Sequence, residues 1–288
     1  MKRLSDLQTR SAFVLTFCAM LVSASAAQAS DHGTFHEEFH QTYPITADGR
    51  IELDNLNGAV HISTWDRNEV KVDAVKYADS RDRLAEAQIE VDSHENSISI
   101  RTKYPDRDHT FNWGSHNNPA GVEYTLTVPR AARLDEIKLI NGSLDVTGAS
   151  GEVHASCING RLDAHNLSGR AELSTVNGSL DANFDQLSTS PVELKSVNGS
   201  IKLTIPSDSK AEIEANTVSG GLENDFGLRV NRQSVIGHDL RGRLGSGGSH
   251  IELENVNGRI EIRHPSDGRA VSPAKDLSDG DKDDDSQI

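Results

Sequence analysis

Apolar residues recur along this chain at fixed offsets from a repeated Asn-Gly pair. Ile140-Asn141-Gly142-Ser143-Leu144, Ile158-Asn159-Gly160-Arg161-Leu162, Val176-Asn177-Gly178-Ser179-Leu180 and Val197-Asn198-Gly199-Ser200-Ile201 follow one another at spacings of 18, 18 and 21 residues. With each glycine set to position zero, the same frame holds at Gly58, at Gly258 and, with Ser219 in place of the asparagine, at Gly220. Ala, Val, Ile or Leu occupy positions −7, −5, −2, +2 and +4 in every copy, except at Asp135 and Asn224. A period near 20 residues marks a repeat architecture, in which each unit buries its apolar side against its neighbours.

Asn-Gly between alternating strands is ordinarily a hairpin signal, because both residues tolerate a positive φ. The register opposes that reading here. A two-residue loop would put Ile158 on the face of Arg161, and a three-residue loop would set Ser156, Ser174, Lys195 and Glu254 opposite apolar positions. A strand cannot slip by one residue without turning its apolar set to water. The pattern therefore predicts an all-β fold, a β-solenoid (β-helix) of roughly 18–21-residue coils. Positions −7 and −5 form one short strand, −2 points inward, Asn-Gly turns a corner, and +2 and +4 form a second strand. Successive coils are expected to wind in one direction, about 4.8 Å apart. Asn141, Asn159, Asn177 and Asn198 would then stack as an amide ladder. A sandwich or other stacked sheet is the alternative.

Four segments follow. Residues 1–29 read as a secretory signal peptide, with Lys2, Arg3 and Arg10, an apolar core from Ala12 to Val22, and Ala27-Gln28-Ala29 as the cleavage site. That core is shorter than the roughly 20 apolar residues that a bilayer requires. Residues 30–134 read as an N-terminal β region with irregular coils, a short helix from Arg81 to Gln88, and an aromatic loop. Residues 135–264 hold the regular repeats, with Val235, Leu240, Gly242 and Leu244 as one degenerate coil. From 265 to 288 the apolar pattern stops, and an acidic, disordered tail is expected.

Charge narrows the function. The whole chain carries −15; without residues 1–29 it holds 26 basic against 43 acidic residues. Binding to nucleic acid through phosphate neutralisation is therefore not expected. One cysteine, Cys157, remains after cleavage, with no partner for an internal disulfide. The expected location is the periplasm or the extracellular space, with no transmembrane segment after signal cleavage.

Candidate chemistry is sparse. Tyr104, Phe111 and Trp113 sit among Asp, Asn, His, Gly and Pro, where exposed aromatics on a long loop could bind a sugar ring or an envelope protein; the bland alternative is a loop closing the end of the solenoid. Two charged columns appear once the coils are aligned. Position −6 reads Glu52, Glu136, His154, Glu172, Glu193, Glu214 and Glu252, and position +3 includes His61, Asp145, Asp163, Asp181 and Lys202. The stacked Asp145, Asp163 and Asp181 are the candidate Ca²⁺ ligands, although outward charges also serve to keep a sheet soluble. His32, His36 and His40 are four apart, which would align them on a helix, yet Phe35 and Phe39 with Thr34 and Tyr43 suit a strand start equally well, and no ligand geometry or paired metal motif is evident. No cofactor is implied, and no Ser-His-Asp arrangement, phosphate loop or carboxylate pair across a groove is discernible.

The run Ile51-Glu52-Leu53-Asp54-Asn55-Leu56-Asn57-Gly58-Ala59-Val60-His61-Ile62 with Trp65-Asp66, then Tyr124-Thr125-Leu126-Thr127-Val128-Pro129 and the serial Asn-Gly coils, resembles the bacterial putative-adhesin family of unknown function with β-strand repeats. The resemblance spans Phe35 to Ile262. It implies an exported β-helical domain, with no motif of functional residues to transfer. The expectation is a non-enzymatic, adhesin-like or envelope binding scaffold. A carbohydrate-active enzyme on a β-helix and an envelope-stress or regulatory accessory protein are the alternatives.

Overall fold

The computed structural model describes residues 35–105, 119–232 and 237–277. The N-terminal strands are β1 (Phe35–Pro44), β2 (Arg50–Asn57), β3 (Val60–Trp65) and β4 (Glu69–Ala78). After the helix α1 (Arg81–Glu86) come β5 (Gln88–Ser93), β6 (Ser97–Lys103) and β7 (Gly121–Pro129). The repeats supply β8 (Arg133–Asn141), β9 (Leu144–Thr147), β10 (Val153–Asn159), β11 (Leu162–Leu167), β12 (Ala171–Asn177), β13 (Leu180–Phe184), β14 (Val192–Asn198) and β15 (Ile201–Thr204). The C-terminal part adds β16 (Ala211–Ser219), β17 (Leu222–Asn224), β18 (Asn231–Arg232), β19 (His238–Leu244), β20 (Ser249–Asn257), β21 (Ile260–Arg263) and β22 (Ala274–Asp276).

Two sheets result. The first runs β1-β4-β7-β3-β9-β11-β13-β15-β21-β17, and the second β18-β19-β16-β20-β14-β12-β10-β8-β2-β6-β5, with β22 on β19. The chain alternates between them: β10 ends at Asn159 in the second sheet, and β11 begins at Leu162 in the first. Neighbouring repeat strands pair in parallel, with Val153 against Ala171 and Leu162 against Leu180. This is an all-β, solenoid-like stack. One-directional winding holds from β8 to β15 and fails at both ends. At the C-terminal end β20 and β21 lie between β14/β15 and β16/β17, so the last copy of the repeat is inserted beneath an earlier one. At the other end β2 and β3 sit directly on β8 and β9, and β6 and β7 stack outside them.

Positions −7, −5, +2 and +4 form the interior, as in Val192, Leu194, Ile201 and Leu203, all essentially inaccessible to solvent. Asp135 breaks the pattern at a β-bulge. Leu134 takes the inward place there and pairs with Ile51 and Val153, while Asp135 turns out to meet the Arg50 guanidinium at 2.5 Å. Asn224 ends the last coil by bonding both the amide and the carbonyl of Leu228.

Position −2 differs from expectation. The strands do not bend after −5; β10, β12 and β14 continue to the asparagine, so side-chain alternation carries −3 inward and −2 outward. Ile158, Val176, Val197, Val256 and Val218 are accordingly 39–53% exposed. The buried −3 residues are mostly polar; four of them donate to carbonyls of the adjacent coil, whereas the hydroxyls of Thr175 and Ser196 have no hydrogen-bond partner among the described residues. Cys157 Sγ donates to Gly142, Asn255 to Gly199, Thr217 to Gly258 and Asn55 to Val122.

The ends are covered by antiparallel strands: β1 on β4 and β4 on β7 at one end, β19 on β16 and β22 on β19 at the other. Leu240, Gly242 and Leu244 therefore belong to an antiparallel strand and not to a coil. Ser80 caps α1 by accepting a hydrogen bond from the Arg83 amide.

Candidate functional site

The repeat turns side chains into columns. Between stacked strands, the amide of Asn141 donates to Asn57 at 2.7 Å, Asn159 to Asn141 at 2.9 Å, Asn177 to Asn159 at 2.9 Å, and Asn198 to Asn177 at 3.0 Å. Asn257 extends the series by donating to Asn198 at 3.0 Å. The glycine that follows each asparagine is a necessity of this stack. Gly178 has φ +153°, and a Cβ built on it would lie 1.8 Å from the carbonyl oxygen of Gly160.

On the first sheet the +3 column brings Asp145, Asp163 and Asp181 into register on β9, β11 and β13. It carries its own counter-charges. His61 Nδ1 lies 2.8 Å from Asp145, Arg161 Nε 2.6 Å from Asp163, and Lys202 Nζ 3.0 Å from Asp181. Asp163 is buried between its two neighbours; desolvation first, and then the carboxylates of Asp145 and Asp181, raise its pKa against the opposing pull of Arg161. Among the described residues no group of three or more His, Cys, Asp or Glu side chains is disposed to hold a metal ion. His40, at the edge strand β1, contacts Asp73 at 2.7 Å and Glu38 at 3.2 Å, and these two hydrogen bonds raise its pKa.

Tyr104 is not a free aromatic. Its ring packs against the core, its hydroxyl donates to the Ala120 carbonyl at 2.7 Å, and burial pushes the phenol well above its ordinary range. Phe111 and Trp113 lie outside the described residues.

The second sheet shows the feature that the sequence reading missed. Its outward face carries an aliphatic column, Ile158, Val176, Val197, Val256 and Val218, on five consecutive strands beside the asparagine ladder. Leu56 and Ile140 continue it, half-buried. Parallel to this column stand Ser156, Ser174, Lys195, Glu254 and Asn216, with a groove of about 460 Å³ along the two. Lys195 pairs with Glu193 and Glu254, which hold its pKa above the usual lysine range. The signal for this face was present as alternation: polar −3 between apolar −5 and apolar −2 cannot have both apolar positions on one side of an unbroken strand.

Parallel strands stacked coil on coil, with uniform columns outside and an aliphatic interior, define a solenoid-like β scaffold. Residues 136–263 match the model of the Toastrack DUF4097 family. Among solved structures it is similar to a putative cell adhesion protein from Clostridium sporogenes, at 14% identity over 80% of this chain and 100% of that one, with a TM-score of 0.47. A putative adhesin from Bacteroides fragilis is 11% identical over 80% of this chain and 97% of that one, with a TM-score of 0.30. A putative lipid binding protein from Parabacteroides distasonis is 10% identical over 82% and 98%, with a TM-score of 0.26. No functionally curated protein matches the chain. Among the described residues no helix is long and apolar enough to cross a membrane.

Proposed function

We propose that this protein is an exported, non-enzymatic binding scaffold of adhesin-like type that works in the periplasm or outside the cell. Coils of 18–21 residues turned at Asn-Gly would form its rigid body. The observation that carries the reading is the aliphatic column on the second sheet, which none of the described residues covers. Five aliphatic side chains held on successive strands against water are the mark of a surface that another molecule covers. Their backbone is fixed by parallel pairing on both sides, so binding would order little that is not already ordered. Phe111 and Trp113, with Tyr104 at the foot of their segment, are the candidates for a sugar or envelope-protein contact.

The test has two arms. Cell fractionation with N-terminal sequencing should find a mature chain outside the cytoplasm that begins at Ser30, and the purified mature chain should be retained on envelope material or a glycan array. A cytoplasmic, unprocessed chain with no retention overturns the proposal. Release of reducing sugar or unsaturated product from a polysaccharide panel overturns its non-enzymatic part.

A further inference from the structure

Three columns lie side by side on the outward face of the second sheet. On β12, β14, β20 and β16 the first column is Glu172, Glu193, Glu252 and Glu214, paired strand to strand. Two residues further along each strand come Ser174, Lys195, Glu254 and Asn216, and two further the valines 176, 197, 256 and 218. We infer that the groove beside the valines receives a cationic amphipathic helix of a partner molecule. The helix lies along the stacking axis, its aliphatic stripe on the valine column and its Lys or Arg side chains over the glutamates. The inference rests on the binding-scaffold reading and names the chemistry of the partner.

Spacing selects a helix. Successive rungs are about 4.8 Å apart. One helical turn advances 5.4 Å, whereas same-side residues of an extended chain recur every ~6.7 Å. Five rungs span about 19 Å, the length of roughly 13 helical residues. The glutamates stand about 13 Å from the valines along the strand, within reach of long basic side chains on the flank of a helix 10–12 Å across.

Charge selects a cationic helix over other occupants. Glu252 has Glu193 on one side and Glu214 on the other, and it makes no ion pair among the described residues. A second copy laid with its stack antiparallel would set glutamate column against glutamate column, which repels. With the stacks parallel, the glutamates would overhang the asparagine corner without a partner. An anionic membrane surface is repelled by the same carboxylates.

The probe is a labelled synthetic helix of about 18 residues with a Leu/Ile stripe and Lys flanks, titrated into the full mature chain by fluorescence anisotropy. A twin peptide with Glu flanks is the control. The Lys peptide should bind, with affinity falling as salt rises, and the Glu peptide should bind at least about 100-fold more weakly. Val176→Thr with Val197→Thr should weaken binding about tenfold or more at unchanged melting temperature. Glu193→Gln with Glu252→Gln should weaken it and flatten the salt dependence.

Three outcomes overturn the inference: no binding of the Lys peptide, binding that the valine substitutions leave unchanged, or dimerisation of the wild-type chain that Val197→Thr abolishes. No binding of the Lys peptide, with the wild-type chain still retained on envelope material, would remove the helix and leave the scaffold reading standing. Loss of all retention by the wild-type chain would remove the scaffold reading itself.

Discussion

The side-chain amide of Asn257 donates to Asn198 at 3.0 Å, although 59 residues separate the two. The intervening copy, with Ser219 at the equivalent place, stacks on the far side of Asn257. The ladder thus follows spatial order rather than chain order. Asn177 sits in its middle, donating to Asn159 and accepting from Asn198, whereas Asn257 at its end donates to Asn198 alone in the ladder. Asn177→Ala should cost about 1–2 kcal/mol and Asn257→Ala about half of that. Urea unfolding of the two variants checks the ratio.

Gly178→Ala is expected to be far more damaging. The new methyl group would meet the Gly160 carbonyl oxygen at 1.8 Å, and backbone in a parallel sheet cannot withdraw without opening the ladder. A loss of about 4 kcal/mol or more is expected. Gly227→Ala is the control: φ is +79°, nothing lies within 4 Å of the added carbon, and the cost should be only about 1–2 kcal/mol. Equal losses for the two variants would contradict the close stacking of Gly178 on Gly160.

Asp163 should destabilise the native state at neutral pH. Its folded pKa is raised, so the folded form holds its proton more tightly than the unfolded form, and stability falls as pH rises through the carboxylate range. Asp163→Asn should therefore melt at a higher temperature than wild type at pH 7. The difference should close below about pH 4, where both states of the wild type are protonated. A variant that melts lower at pH 7 would show that the Arg161 ion pair outweighs desolvation.

Calcium should do little at the aspartate column. His61, Arg161 and Lys202 already face the three carboxylates, leaving little charge for a divalent ion to relieve. The melting temperature is expected to stay constant up to millimolar calcium. A rise of several degrees would mean that the ion binds the native state preferentially and that Asp145, Asp163 and Asp181 hold it.

The interior was legible because positions such as Leu173 and Leu180 keep one period through every copy. The exposed column was not. Val176 and its equivalents look like core residues, and Thr175, Ser196 and Asn255 look like surface residues, yet the structure exchanges them. Sequence favours burial of the more apolar residue. In this fold the inward place at −3 lies against glycine carbonyls, which accept hydrogen bonds from small polar groups such as Thr217 and Asn255. The buried hydroxyls of Thr175 and Ser196 find no partner among the described residues, a cost that places the preference with the unbroken strand rather than with these side chains. Coil order at the ends was also hidden. The copies around Gly258 and Gly220 share the apolar frame, so the frame alone did not say which one stacks on Gly199; Asn257, where the other copy has Ser219, continues the amide ladder onto Asn198. Of the candidate site, the aspartate column was legible from register alone, whereas the hydrogen bond that draws Tyr104 to Ala120 left no periodic trace.

Stacking order can be read directly by cysteine cross-linking in a Cys157→Ser background. Val197 and Val256 lie on adjacent strands, as do Val256 and Val218, while Val197 and Val218 are two strands apart. Neighbouring rungs fall within the Cα separation that a disulfide spans, and second neighbours, at about 9.6 Å, do not. Val197→Cys with Val256→Cys should oxidise rapidly to a disulfide, and Val197→Cys with Val218→Cys should remain reduced. The reverse result, a bond between 197 and 218 and none between 197 and 256, would contradict the inserted coil and the columns built on it.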